Sequence, residues 1–103
     1  MRRVSLLELQ ALKEEKGDFI LYVRSDRARE RIREVFDTDV VVPELEKSFR
    51  LDFFSINADE EPDVLKEFPL PSLILFKDGK VVHVLRGIKN WNEYVKAITE
   101  TYF

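Results

Sequence analysis

The sequence predicts a single α/β domain over residues 1–103, a mixed four-stranded sheet sandwiched by helices in the order α-β-α-β-α-β-β-α. Three observations predict it. Residues 19–23 are a continuous apolar, β-prone run with the character of a central strand covered on both faces, and residues 51–56 and 73–76 read as further buried strands. Helical patterns with their own start and stop signals separate those runs, which makes the early strands parallel. Asp78-Gly79 then stands between two apolar runs, a strong signal for a tight antiparallel hairpin.

Taken in order, Ser5 with Glu8 forms a capping-box pattern, and Leu6, Leu7, Leu9, Ala11 and Leu12 follow with helical character until Gly17. Phe19-Ile20-Leu21-Tyr22-Val23 is the first strand. Ser25 or Asp26 caps a second helix carrying Ala28, Ile32, Val35 and Phe36 on one side. Residues 37–42 fit neither pattern, and Pro43 begins a further helical turn holding Leu45 and Phe49. Residues 51–56 form the second strand. Pro62 suits the first turn of a short helix with Val64, Leu65 and Phe68 facing inward. Residues 73–76 and 81–85 are the last two strands. Asn90 with Glu93 again fits a cap, and Trp91, Tyr94, Val95 and Ile98 form a helical stripe that places Trp91 and Tyr94 in the core.

An apolar content of 45% at this length is enough for a core without metal or disulfide staples. The charged fraction of 36%, with one Met and no Cys, resembles the composition of thermophile proteins. A net charge of −3 gives no general attraction to nucleic acid. No apolar run reaches the length of a membrane span, and Met1-Arg2-Arg3 leads into an amphipathic stretch, so the expected location is cytoplasmic, with no membrane partner. No cofactor or metal is expected. Asp59-Glu60-Glu61 with Asp63 lacks the ligand alternation of a calcium loop and suits a helix start instead. His83 has no second His or Cys to share a metal and reads as a surface strand residue. The absence of cysteine removes thiolate chemistry altogether.

Leu70-Pro71-Ser72-Leu73-Ile74-Leu75-Phe76-Lys77-Asp78-Gly79-Lys80-Val81-Val82 resembles the cis-proline strand and hairpin of thioredoxin-like proteins. Phe53-Phe54-Ser55-Ile56-Asn57-Ala58-Asp59-Glu60-Glu61-Pro62 is similar to the family's second core strand and its exit. With the element order, these identify the chain as resembling a cysteine-less, redox-inactive member of the thioredoxin-like superfamily. The resemblance implies a cis peptide before Pro71 and places Gly87-Ile88 where the family closes its last strand with glycine. The Cys-x-x-Cys position maps onto Ser25-Asp26-Arg27-Ala28 or, one step on, Asp26-Arg27-Ala28-Arg29. Matching Ile32, Val35 and Phe36 to the family's apolar helix face favours the second register. The relay carboxylate expected in the first strand is missing from residues 19–23, and Ser55 replaces a common lysine. Both nucleophiles and both relay groups are gone together, which implies that the redox enzyme activity is absent.

In thioredoxin-like proteins the backbone before the cis-proline holds an extended peptide by strand-like hydrogen bonds. The implied groove is lined by Ser25, Asp26, Arg27, Leu70, Pro71, Gly87 and Ile88. The expected function is therefore a protein- or peptide-binding module: an adaptor, accessory chaperone or assembly factor. Redox-silent relatives of that kind include hydrogenase-maturation accessory proteins, an analogy of class rather than of residues. One alternative is a small-molecule transferase that uses Tyr22 or Ser25 in the same cleft. Another is a structural subunit, or a homodimer, docking through Tyr102 and Phe103. The arginines 24, 27, 29, 31 and 33, mixed with Asp26, Glu30 and Glu34, read first as a solvated, salt-laced face. The sharper expectation is an anion or acidic-peptide site where Arg27 meets the helix start.

Overall fold

A computed structural model of the chain describes residues 1–103. Strand β2 (Phe19–Arg24) lies at the centre of the sheet. It pairs in parallel with β3 (Phe53–Asn57) and antiparallel with β4 (Ser72–Lys77), which in turn pairs antiparallel with the edge strand β5 (Lys80–Arg86). The other edge is a two-residue strand β1 (Arg2–Arg3) parallel to β3, so the sheet has five strands where the sequence pattern predicts four. Two adjacent arginines carry no apolar alternation, and β1 exists only through its backbone pairing.

Helix α1 (Leu6–Glu15) and a 3-10 helix at Pro62–Lys66 cover one face of the sheet; helices α3 (Arg33–Ser48) and α4 (Trp91–Tyr102) cover the other. Alternation along β2 shows why its run is continuously apolar. Phe19, Leu21 and Val23 enter the core beneath α1, while Ile20 and Tyr22 enter the core beneath α3 and α4. Ser5 caps α1 through the expected capping box.

The region after β2 departs from its expected form. The short helix α2 (Asp26–Arg29) ends where the Ala28 carbonyl accepts from both Arg31 N–H (3.0 Å) and Ile32 N–H (2.7 Å), and α3 starts anew at Arg33. The restart changes the helical phase. Val35, Thr38, Val42 and Leu45 become the buried stripe, and Ile32 and Phe36 turn outward. The ground for placing the Cys-x-x-Cys position at Asp26-Arg27-Ala28-Arg29 is thereby lost. Pro43 lies within α3 rather than starting a turn, and residues 37–42 are helical. In the 3-10 helix, three residues per turn put Leu65 with Pro62 on the outer side, while Val64 is buried. Trp91, at the first position of α4, is exposed, a turn before Tyr94 reaches the core. Tyr102 is half-buried, and its hydroxyl donates to the Phe19 and Phe76 carbonyls (2.9 and 2.8 Å). Phe103 is the open member of that pair and stacks at 6.3 Å on Phe49.

Candidate functional site

The start of α2 is built by its own cap. Ser25 is buried, and its Oγ accepts from Ala28 N–H at 3.0 Å. That hydroxyl donates in turn to Asp59 Oδ1 at 2.5 Å, and the second Asp59 oxygen accepts from Arg27 N–H at 3.0 Å. Asn57, also buried, holds Asp59 in place by accepting its N–H (2.9 Å) and donates to Asp26 at 3.0 Å. The Ser25 hydrogen bond, followed by the Arg27 amide, holds the Asp59 carboxyl below the usual carboxylate range. Asp26 is likewise lowered, first by its hydrogen bond from Arg24.

Behind this cap lies a second polar cluster. The Arg24 guanidinium donates to Asp39 (2.9 and 3.0 Å) and to Asp26 (2.7 Å), and Arg29 approaches Asp39 at 3.3 Å. The Tyr22 hydroxyl donates toward Asp39 and Thr38, each 2.6 Å away. Burial first, and then the Asp39 carboxylate, pushes the Tyr22 phenol far up, so a phenolate is not available for catalysis. The Arg24 guanidinium is held charged by Asp39. No buried side-chain polar atom is left without a partner. Tyr22 and Ser25, the two residues on which a transferase would depend, are thus both sealed inside hydrogen-bonded clusters.

The opposite wall is differently made. The Leu70–Pro71 peptide is cis. Pro71 is buried, and its carbonyl accepts from Gly87 N–H at 2.8 Å, joining the β4 entrance to the end of β5. Gly87 has φ +67°, and a Cβ there would collide with the Glu34 carboxylate reaching over from α3. That same carboxylate accepts from Ile88 N–H at 3.3 Å. Tyr94 completes the corner by donating to the Gly87 carbonyl and accepting from Lys89 N–H. Leu70 alone breaks the pattern. It is half-buried, and neither its N–H nor its C=O takes part in any hydrogen bond of the chain.

The seven predicted groove residues therefore fall into two groups. Ser25, Asp26 and Arg27 sit in the α2 cap; Pro71, Gly87 and Ile88 are tied together with Leu70 beside them. No hydrogen bond or ion pair links the groups. Ser25, Pro71 and Gly87 are buried, which leaves Asp26, Arg27, Leu70 and Ile88 as the accessible surface. The residues that organise the site beyond those predicted are Asp59, Asn57 and Glu34. The acidic stretch containing Asp59 does not gather round a cation. Asp59 caps α2, Glu60 pairs with Arg3, Glu61 accepts from Leu6 N–H, and Asp63 pairs with Lys66.

Comparison with known proteins completes the picture. Residues 1–94 match the family described as hydrogenase-1 expression protein HyaE. The chain belongs to the HyaE family. It is 32% identical over 89 residues to the hydrogenase expression/formation protein HoxO of Cupriavidus necator, a match covering 80% of this chain and 54% of HoxO. HyaE-family membership is accompanied by 43% identity to an uncharacterized protein of Aquifex aeolicus, over 98% of this chain and 89% of that one. The fold is that of thioredoxins. A Plasmodium falciparum thioredoxin superposes with a TM-score of 0.78 over the whole of both chains at 18% identity. Mitochondrial thioredoxin 3 of Saccharomyces cerevisiae gives 0.79 at 19% identity, over 97% of this chain and 94% of that one.

Proposed function

We propose that this HyaE-family chain is a redox-silent accessory factor in hydrogenase assembly that holds an extended segment of a hydrogenase polypeptide against Leu70. Its family and its likeness to HoxO support the process, and the free backbone of Leu70 supports the mode. At the position of the thioredoxin cysteines, the Ser25 hydroxyl, the Asp26 carboxylate and the Arg27 and Ala28 amides are satisfied within the chain. At Leu70, a donor and an acceptor remain open for strand-like pairing.

Magnitudes limit what that pairing achieves. Two backbone hydrogen bonds contribute about 1 kcal/mol each, whereas micromolar affinity needs about 8 kcal/mol. The remainder falls to side-chain contacts, for which Leu70, Ile88 and Arg27 are accessible residues of the predicted groove.

The test is co-expression of the chain with hydrogenase subunits, followed by isolation of the complex and mass spectrometry of what is bound. A complex containing a hydrogenase polypeptide, weakened by Arg27→Glu and by Leu70→Asp, is the expected result. A chain that associates with no hydrogenase polypeptide overturns the process, and a complex indifferent to both substitutions overturns the mode.

A further inference from the structure

The two margins of the sheet are unequal. One ends in the two-residue strand β1; at the other, the seven residues of β5 have a neighbour on one side only. The bond from Gly87 N–H to the Pro71 carbonyl (2.8 Å) sets the phase of that open edge. In an antiparallel pair, alternate residues turn both backbone groups toward the partner strand. Leu85 and His83 therefore face β4, while Val84 and Arg86 point N–H and C=O outward, where no turn, loop or side chain takes them up. Val81, Val82 and Val84 are 42%, 50% and 40% exposed along the same strand.

Two features narrow what can add to this edge. One is a bulge. Leu75 and Phe76 stand opposite His83 and Val81, so Val82 is an extra residue and an unbroken ladder runs only over residues 83–86. The other is charge. Every ion pair of the chain lies within residues 1–66. Residues 77–100 hold five cations against Asp78, Glu93 and Glu100, in a chain of net charge −3. Of those cations only Lys77 is engaged, by the Thr101 carbonyl at 3.0 Å. Lys80 and Arg86, at the two ends of β5, are exposed and have no acid partner.

We propose that the β5 edge receives a short extended segment of a protein partner as a further strand, with acidic and apolar residues in alternation. The open backbone of Val84 and Arg86 asks for an extended chain, because only a strand offers donors and acceptors at the matching spacing. Side-chain alternation then sets the sequence of that strand. Val84 and Arg86 lie on the face of the sheet away from α4, and His83 and Leu85 lie on the α4 face. On the α4 face is an open cleft of about 290 Å³ lined by His83, Leu85, Glu93, Lys96, Ala97 and Glu100, in which Leu85 and Ala97 are buried. An apolar side chain of the added strand covers that cleft, and the next residue along, an acid, falls beside Arg86. A second copy of this chain is a poor occupant. It would bring Lys80 and Arg86 against their own likeness, and cations and bulges are the means by which edges resist pairing with themselves. The backbone groups concerned are not those of Leu70, so the inference stands whether or not a segment is held there.

The experiment titrates the isotope-labelled full chain with three short synthetic peptides of equal length, followed by amide chemical shifts and amide hydrogen exchange. The first alternates valine with glutamate; the second has lysine for glutamate; the third is the first with its backbone nitrogens methylated. The first peptide, at up to millimolar concentration, should shift residues 80–86 and slow exchange at Val84 and Arg86 by about tenfold, while Leu85, already turned to β4, is unchanged. Binding should be about tenfold weaker for the lysine peptide and lost for the methylated one, which cannot donate along the edge. The double variant Lys80→Glu, Arg86→Glu should reverse the preference between the first two peptides. Its circular dichroism should stay unchanged, because both side chains are exposed. Unchanged exchange at Val84 and Arg86, equal binding of the glutamate and lysine peptides, undiminished binding of the methylated one, or shifts confined to Leu70 and Ile88 would each overturn the proposal. So would a dimer in sedimentation that protects both amides without peptide, which would name a second copy as the occupant.

Discussion

The two walls of the candidate site are built in opposite ways. On the α2 side, Ser25, Asp26 and Arg27 are tied to Asn57 and Asp59, and Arg24 with Tyr22 is tied to Asp39. On the β4 side, Pro71 and Gly87 are paired, but Leu70 keeps a bare N–H and C=O. One wall is closed by side chains bonded within the chain; the other leaves a backbone edge open. The two can differ so far because they are supplied by different segments, a helix start on one side and a strand entrance on the other.

The contrast can be broken most severely at Asp39. Asp39→Ala leaves Arg24 and Tyr22 without their shared acceptor in a mostly buried place, and a loss of about 3 kcal/mol is expected from urea unfolding. An unchanged midpoint would show that the α2 wall is not held from behind. Gly87→Ala is expected to cost about 1–2 kcal/mol from its positive φ, with an added clash against Glu34. Thermal melts of Gly87→Ala with and without Glu34→Ala separate the two causes, since only the clash is relieved by the second change.

Acid titration gives a smaller effect with a definite sign. The folded Asp59 and Asp26 carboxyls bind protons less readily than the ordinary value of 3.8, so their stabilisation is complete above that value. It is lost as pH falls toward the lower folded values. Asp59→Asn should flatten that decline in unfolding experiments run downward from about pH 5, and a parallel decline would exclude Asp59 as its source. Smallest on stability is Arg27→Ala, within about 0.5 kcal/mol, since its side chain makes no ion pair. Only the captured complex should register that change.

Much of the fold was legible because its signals are local. Apolar runs, the Asp78-Gly79 hairpin and the Ser5 and Asn90 caps each depend on neighbours within a few residues. The site was legible only where it repeats a family pattern, at Leu70-Pro71-Ser72 and Gly87. Asp59 reaches Ser25 across 34 positions and Glu34 reaches Ile88 across 54, and no spacing rule links such pairs. The break between α2 and α3 was hidden for another reason. Glu30, Arg31 and Ile32 contain no glycine or proline, so propensity favours a continuous helix that the packing of Val35 and Thr38 overrides. Strand β1 was invisible because Arg2 and Arg3 are chosen by a neighbour's free edge rather than by their own side chains.

Tyr102 carries a consequence for how the molecule comes into being. Its hydroxyl closes the end of the central strand pair on carbonyls 83 and 26 residues earlier in the chain. The seal on the Phe19–Phe76 end therefore waits on a segment that follows every strand of the sheet in the chain, and Tyr102→Phe should leave a protein that assembles its sheet but frays from that end.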